Sequence, residues 1–183
     1  MKHLLIALIF LPFASDAQRL YKNTNPVTNE VWYETGWTQV VKNIAPTGLT
    51  NLRMHFLKYA DSNYFIEINA NIKYRNYDIR NNDVLAFYFA DGERMIFPYK
   101  GESYNTVSRG SGNHIHPQYK ITAVQLKQLK EKYPVKMMFQ TSKKTHEIDL
   151  ADHESDAIVR TAYMFLDGTD KNGKTVTATE QSR

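Results

Sequence analysis

The segment YFIEINANIKY, residues 64–74, decides the fold of this chain. Apolar and polar residues alternate along it without interruption, which is the pattern of a β-strand with one buried face and one open face. The face predicted to lie in the core carries Tyr64, Ile66, Ile68, Ala70, Ile72 and Tyr74. The opposite face carries Glu67, Asn69, Asn71 and Lys73. A half-buried strand of this length predicts an antiparallel sheet that covers a core on one side.

Other stretches on both sides of this segment predict further strands. They are Val31 to Val41 with a bend at Gly36, the alternating Leu52, Met54 and Phe56, Val84 to Phe89, Arg94 to Tyr99, Val135 to Phe139 and His146 to Leu150. Asp91-Gly92 lies between two of them and is a strong hairpin signal. The stretch from Gly101 to Gln118 contains glycine, serine and proline and is predicted to be a loop, with at most a short strand at 104–107.

Two helices are predicted in the second half of the chain. The first covers about 122–132, with Thr122 as N-cap, Gln125 completing a capping box, and Leu126, Leu129 and Tyr133 on the inner face. The second covers about 152–167 and ends at a glycine. The predicted class is therefore α+β, a mostly antiparallel sandwich or partly closed barrel. A lipocalin-like barrel is the lesser alternative, because the first helix interrupts an up-and-down strand order.

The succession of segments along the sequence predicts an exported protein with one folded domain. Residues 1–17 have a polar start, an apolar centre and a small-x-small cleavage site before Gln18, as a signal peptide does. Residues 18–168 are predicted to form one β-rich domain, and the polar tail 169–183 is expected to fray. No later segment approaches the roughly 20 apolar residues of a transmembrane helix. We therefore expect a secreted or periplasmic protein with no transmembrane segment after cleavage.

The composition restricts the chemistry of the protein. The 183 residues are 42% hydrophobic and 23% charged, with a formal net charge of +4 and no cysteine. These values are typical of a globular domain rather than a disordered chain. The lack of cysteine excludes a disulfide framework, a thiolate zinc site and a cysteine nucleophile.

Part of the sequence resembles uncharacterised secreted β-rich bacterial domains. The resemblance is carried by DVLAFYFADGERMIFPY at 83–99, by YKITAVQLKQLKEKYPVKMMFQT at 119–141 and by the amphipathic helix that follows. It covers about Leu52 to Leu166 and identifies no named family. It implies the order of strands and helices and implies no activity.

His114 and His116 are the candidate metal ligands. Residues two apart on an extended segment point the same way, so both imidazoles could bind one zinc or copper ion. A third ligand would have to come from His55, His146 or His153. The pair by itself is better explained as two solvated histidines before Pro117, so we expect no metal and no cofactor.

Aromatic and basic residues are the candidate binding groups. Trp32, Tyr33 and Trp37 lie within six residues and could present stacking surfaces for a polysaccharide or for another secreted or cell-surface protein. Lys127 and Lys130 belong to a lysine-rich stretch at 120–144 that would attract anions. Nucleic acid is not expected as a partner, because the chain is exported and carries no nucleic-acid-binding module.

The sequence therefore predicts a secreted, non-catalytic binding or interaction module. No nucleophile motif, complete metal set or phosphate-binding loop is present, and this favours binding over catalysis. Two alternatives remain: a metal-assisted hydrolase that uses His114 and His116, and a small-ligand carrier with a lipocalin-like barrel.

Overall fold

The computed structural model describes residues 19–44, 48–59, 63–73, 78–101, 105–108 and 112–181. The predicted signal peptide lies outside the described residues. The fold is mixed α+β with antiparallel-rich sheets, as the sequence predicts. The strands are β1 (Leu20–Thr24), β2 (Val31–Thr35), β3 (Thr38–Ile44), β4 (Leu49–Tyr59), β5 (Tyr64–Ile72), β6 (Val84–Phe89), β7 (Arg94–Pro98), β8 (Asn105–Ser108), β9 (Gly112–Ile115), β10 (Gln118–Ile121), β11 (Pro134–Gln140), β12 (Thr145–Asp149) and β13 (Thr179–Gln181).

Strand β5 has the alternating burial that its sequence predicts. Every second residue from Tyr64 to Ile72 is buried, and the residues between them are partly exposed. Its buried side chains belong to a hydrophobic core that also receives side chains from the other sheet and from both helices. The opposite face of β5 carries Glu67 and leaves the core.

Two strand interruptions flank the centre of the larger sheet. On one side, β2 pairs with residues 57–59 of β4 and β3 pairs with residues 49–54. On the other side, β10 pairs with residues 64–67 of β5 and β9 pairs with residues 70–72. Residues 36–37 and 116–117 form the two breaks, so non-strand residues lie beside the middle of β4 and β5.

The second sheet has the order β12-β11-β6-β7 and is antiparallel throughout. Its β6–β7 hairpin turns at Asp91-Gly92, where Gly92 has φ +83°, a conformation that suits glycine. Neither sheet closes on itself, so the lipocalin-like alternative is wrong.

Both predicted helices are present. Helix α1 (Ala123–Glu131) begins at a capping box formed by Thr122 and Gln125, and helix α2 (Asp152–Asp167) ends at Gly168 in the left-handed conformation. Tyr133 is not on the inner face, because α1 ends before it and the side chain is 50% exposed. Neither helix in the described residues is long and apolar enough to cross a membrane.

Two sequence expectations are corrected by strand pairing. The short strand expected at 104–107 corresponds to β8, but the predicted loop at 101–118 also contains β9, which pairs with β8 and with the edge of β5, and β10 begins at its end. The tail was expected to fray, but its Thr179–Gln181 segment pairs in parallel with β1. Both segments are polar, and backbone hydrogen bonds to a neighbouring strand form without an apolar sequence pattern.

Candidate functional site

The candidate site lies on the face of the larger sheet that is turned away from the core. His55 of β4, Glu67 of β5 and Gln118 of β10 are neighbours in the strand register and form one row across this face. Residues on either side of Glu67 along β5, Ile66 and Ile68, point into the core. The row is thus a consequence of the alternation that makes β5 half-buried.

The break between β2 and β3 places Trp37 over this row. The backbone N–H of Phe56 has no strand partner there and donates instead to Thr35 Oγ1 at 3.1 Å. Trp37 stacks on His55 with ring centroids 3.8 Å apart and an angle of 11° between the planes. The guanidinium carbon of Arg53 lies 5.8 Å from the Trp37 ring centroid, a cation–π distance. Trp37 covers His55, which is 5% exposed.

The break between β9 and β10 places His116 on the other side of the row. Pro117 accepts a hydrogen bond from Ile68 N–H at 3.0 Å and holds the break against β5. His116 Nδ1 lies 3.9 Å from Glu67 Oε1, and His55 Nε2 lies 3.7 Å from the same oxygen. The other oxygen, Oε2, accepts a hydrogen bond from Gln118 Nε2 at 2.8 Å.

Glu67 is the electrostatic centre of this arrangement. Partial burial acts to raise its pKa, but His116, His55 and Gln118 together lower it by more, so the pKa lies well below its ordinary range. The side chain is therefore a carboxylate at neutral pH. Both ring nitrogens of His55 are buried without a hydrogen bond within the described part of the chain. A carboxylate between two imidazoles can hold a proton donor in place or accept a proton.

A cavity of about 680 Å³ opens beside Glu67. Its lining combines part of the polar row with the outer face of β7, the residues that follow β7, and the start of α1. The lining residues are Phe65, Glu67, Ile96, Pro98, Tyr99, Lys100, Gly101, His116, Gln118, Lys120, Thr122 and Gln125. Apolar walls with a few converging polar groups are the usual composition of a small-molecule site.

The three predicted aromatic residues do not share one surface. Trp32 is partly exposed, is paired in register with Tyr59, and its indole N–H donates to Glu34 Oε2 at 3.3 Å. Tyr33 is the next residue along β2, points to the opposite face and packs against the core. Trp37 lies at the polar row, so of the three predicted aromatic residues Trp32 and Trp37 are on the open side of the sheet and Tyr33 is not.

The predicted lysines lie elsewhere. Lys127 and Lys130 line a separate pocket between α1 and α2, which shares no lining residue with the sheet cavity. Lys130 forms an ion pair with Asp167 and lies over the Tyr163 ring. Its charge is therefore engaged within the fold. The structure does not bring these two lysines and Trp37 into one cavity.

The two candidate metal ligands, His114 and His116, have different positions and contacts in the structure. His114 lies in β9 in register with Asn71, whereas His116 lies in the break and contacts Glu67. Among the described residues, no group of three histidine, aspartate or glutamate side chains has the arrangement of a metal site. The expectation of two solvated histidines in a loop is wrong for His114, which lies in β9, whereas His116 does lie in a non-strand segment before Pro117 but contacts Glu67.

Sequence reasoning missed Glu67 and Gln118 as site residues and named His55 only as a possible third metal ligand. Glu67 was assigned to an open strand face because its neighbours alternate, and that assignment is correct. The available sequence signal was a histidine, His55, between two predicted core residues, Met54 and Phe56. In the structure, His55 is almost as deeply buried as these two neighbours. Pairing these three residues requires the strand register, which no local pattern provides.

Neither family models, nor curated proteins, nor solved structures match this chain. The candidate site therefore depends on the geometry of the described residues alone.

Proposed function

We propose that the protein is an exported, non-catalytic binding module whose ligand occupies the cavity beside Glu67. The observation that carries the proposal is the cavity itself, whose volume of about 680 Å³ falls within the range of roughly 300–1,000 Å³ for ligand pockets. Such a cavity can hold a small molecule, or one terminal group of a polysaccharide or of another secreted or cell-surface protein. The partner classes predicted from the sequence are thus retained, but the proposed contact is the cavity, whose lining includes none of the predicted binding residues Trp32, Tyr33, Trp37, Lys127 and Lys130.

Binding is favoured over catalysis by the way the lining groups pair with each other. Gln118 donates to Glu67, and Thr122 and Gln125 form the capping box of α1. The Thr122 hydroxyl is therefore engaged in capping and is not oriented by a general base. Groups held in such pairs provide a fixed polar surface, which lowers the entropic cost of binding.

Closing the cavity should abolish binding. Ile96 is 40% exposed on the cavity wall, so Ile96→Trp adds an indole to the cavity without disturbing a core side chain. Val135→Trp is the matched control, because Val135 is 43% exposed on a strand of the same sheet and does not line the cavity. A panel of sugars and small aromatic acids would be screened by saturation-transfer NMR against the wild-type protein. We expect hits to bind the control variant and to lose at least tenfold in affinity for Ile96→Trp.

This screen can contradict the proposal in two ways. Hits that bind Ile96→Trp as well as they bind the wild type would place the ligand outside the cavity. Conversion of a hit to product at substoichiometric protein would contradict the non-catalytic class.

A second candidate function is proton-transfer catalysis in the same cavity. It is favoured by one observation, the position of the Glu67 carboxylate beside both His55 and His116. A carboxylate that orients an imidazole is a common acid–base arrangement. Glu67→Gln separates the two functions, because it should abolish turnover under this candidate and only weaken binding under the first.

Export is the remaining part of the proposal, and it concerns residues 1–17. We expect signal cleavage before Gln18 when the full chain is expressed in a bacterial host with a secretion pathway. Intact-mass measurement of the exported protein checks this expectation. An exported product that retains Met1, or a product confined to the cytoplasm, would contradict it.

A further inference from the structure

Two lysines at the cavity have no carboxylate partner among the described residues. Lys100 follows β7 and Lys120 lies in β10, and both side chains are exposed in the cavity lining. Neither forms an ion pair with a carboxylate in the described ranges of the chain. By contrast, five other lysines do form such pairs: Lys22, Lys130, Lys132, Lys136 and Lys171.

Glu67, the one carboxylate among the described lining residues, does not compensate for these lysines. Glu67 contacts His55, His116 and Gln118, which together stabilise its ionised form. Lys120 is in register with Phe65, two residues along β5 from Glu67, and forms no ion pair with Glu67. The described lining therefore carries more positive than negative charge, and this charge is available to a ligand.

The walls next to the lysines are apolar. Phe65, Ile96 and Pro98 line the cavity with at least partly exposed side chains, whereas the Tyr99 side chain is 1% exposed and packs edge-to-face on Tyr119 in the core, with ring centroids 5.9 Å apart. A rigid aromatic and aliphatic surface favours a planar or branched apolar group. An ion without an apolar body would leave this surface uncovered.

We propose that the ligand of the cavity is an organic anion, with an apolar body against Phe65 and Ile96 and an acid group at Lys100 and Lys120. This inference rests on the proposed binding function and adds the chemical class of the ligand. Carboxylate, sulfate and sulfonate groups share the required chemistry, since each presents several acceptor oxygens to ammonium groups. The apolar body contributes burial, and the lysines contribute attraction that salt screens.

Two fluorescent probes of similar shape test the inference. Anilinonaphthalene sulfonate carries an aromatic body and one negative charge, and N-phenyl-1-naphthylamine carries the same ring system without the sulfonate. We expect the anionic probe to bind the wild-type protein more tightly, and its affinity to fall as sodium chloride is raised from low to physiological concentration. The double variant Lys100→Gln/Lys120→Gln should bind the anionic probe roughly three- to tenfold more weakly, with no change for the neutral probe.

Matched variants connect the result to the cavity. Lys143→Gln/Lys144→Gln removes two exposed lysines from the β11–β12 turn, which does not line the cavity, and should leave both affinities unchanged. Ile96→Trp should block both probes. Circular dichroism of each variant checks that the fold is retained.

The outcomes separate the two proposals. Equal binding of both probes, with no effect of the lysine double variant but loss in Ile96→Trp, would overturn the organic-anion inference and leave the cavity as the binding site. The same would follow if Lys143→Gln/Lys144→Gln weakened the anionic probe as much as the cavity variant did. Failure of both probes to bind, or binding that Ile96→Trp does not reduce, would overturn the proposed function itself.

Discussion

Ile68→Ala is expected to lower the free energy of unfolding by about 2–5 kcal/mol, the usual cost of emptying a buried isoleucine site. Ile68 lies in the middle of β5 and is 0% exposed, so truncation of its side chain leaves a cavity in the core. Urea denaturation followed by tryptophan fluorescence and circular dichroism measures the change.

Asn69→Ala is the matched control for this prediction. Asn69 is the next residue along β5, faces away from the core, and its Oδ1 has no hydrogen bond within the described ranges. Its truncation should change the free energy of unfolding by less than about 1 kcal/mol. Similar losses at both positions would mean that burial does not alternate along β5.

His146 is expected to make the stability of the protein depend on pH. Its side chain is 1% exposed on β12, packs against Phe139, and burial together with Lys144 lowers its pKa to about 4. The unfolded chain keeps a histidine pKa of about 6.5 and therefore binds the proton first as the pH falls. The folded state should have its full stability above about pH 6.5 and lose up to about 3 kcal/mol as the pH falls toward 4.

His146→Leu should remove this part of the pH dependence, because leucine fills the site without a titratable group. The free energy of unfolding would be measured by urea denaturation at pH 7 and pH 5 for the wild type and the variant. Ile148→Val is the control: it removes a methyl group from the same strand and should lower stability equally at both pH values. An unchanged pH slope in His146→Leu would show that His146 does not titrate as its burial predicts.

Local patterns in the sequence were sufficient for the main elements of the fold. The alternation of Tyr64–Ile72 predicted β5, and Asp91-Gly92 predicted the β6–β7 hairpin, because each depends on residues that are close in the chain. Thr122 and Gln125 predicted the start of α1, and Gly168 the end of α2, for the same reason. The bend at Gly36 was also predicted, since glycine within a strand pattern marks an interruption.

The edge strands were not predictable in the same way. A short strand at 104–107 was expected and overlaps β8, but β9 is short and polar, and no local preference separates it from a loop. Strand β9 forms because the free edge of β5 offers backbone donors and acceptors at residues 70–72. The parallel pairing of β13 with β1 joins the two ends of the described chain, and such a contact leaves no periodic signal in either segment.

The sequence by itself determined which face of β5 is polar, and therefore that Glu67 lies outside the core. Only the tertiary structure decided what surrounds Glu67. His55, Gln118, His116 and Trp37 come from four separate positions in the chain, and they meet because β4, β5 and β10 pair in one register and the strand breaks fall beside it. Register is fixed by backbone hydrogen bonds between distant segments together with burial of one face, so residues that share a site across strands share no pattern along the sequence.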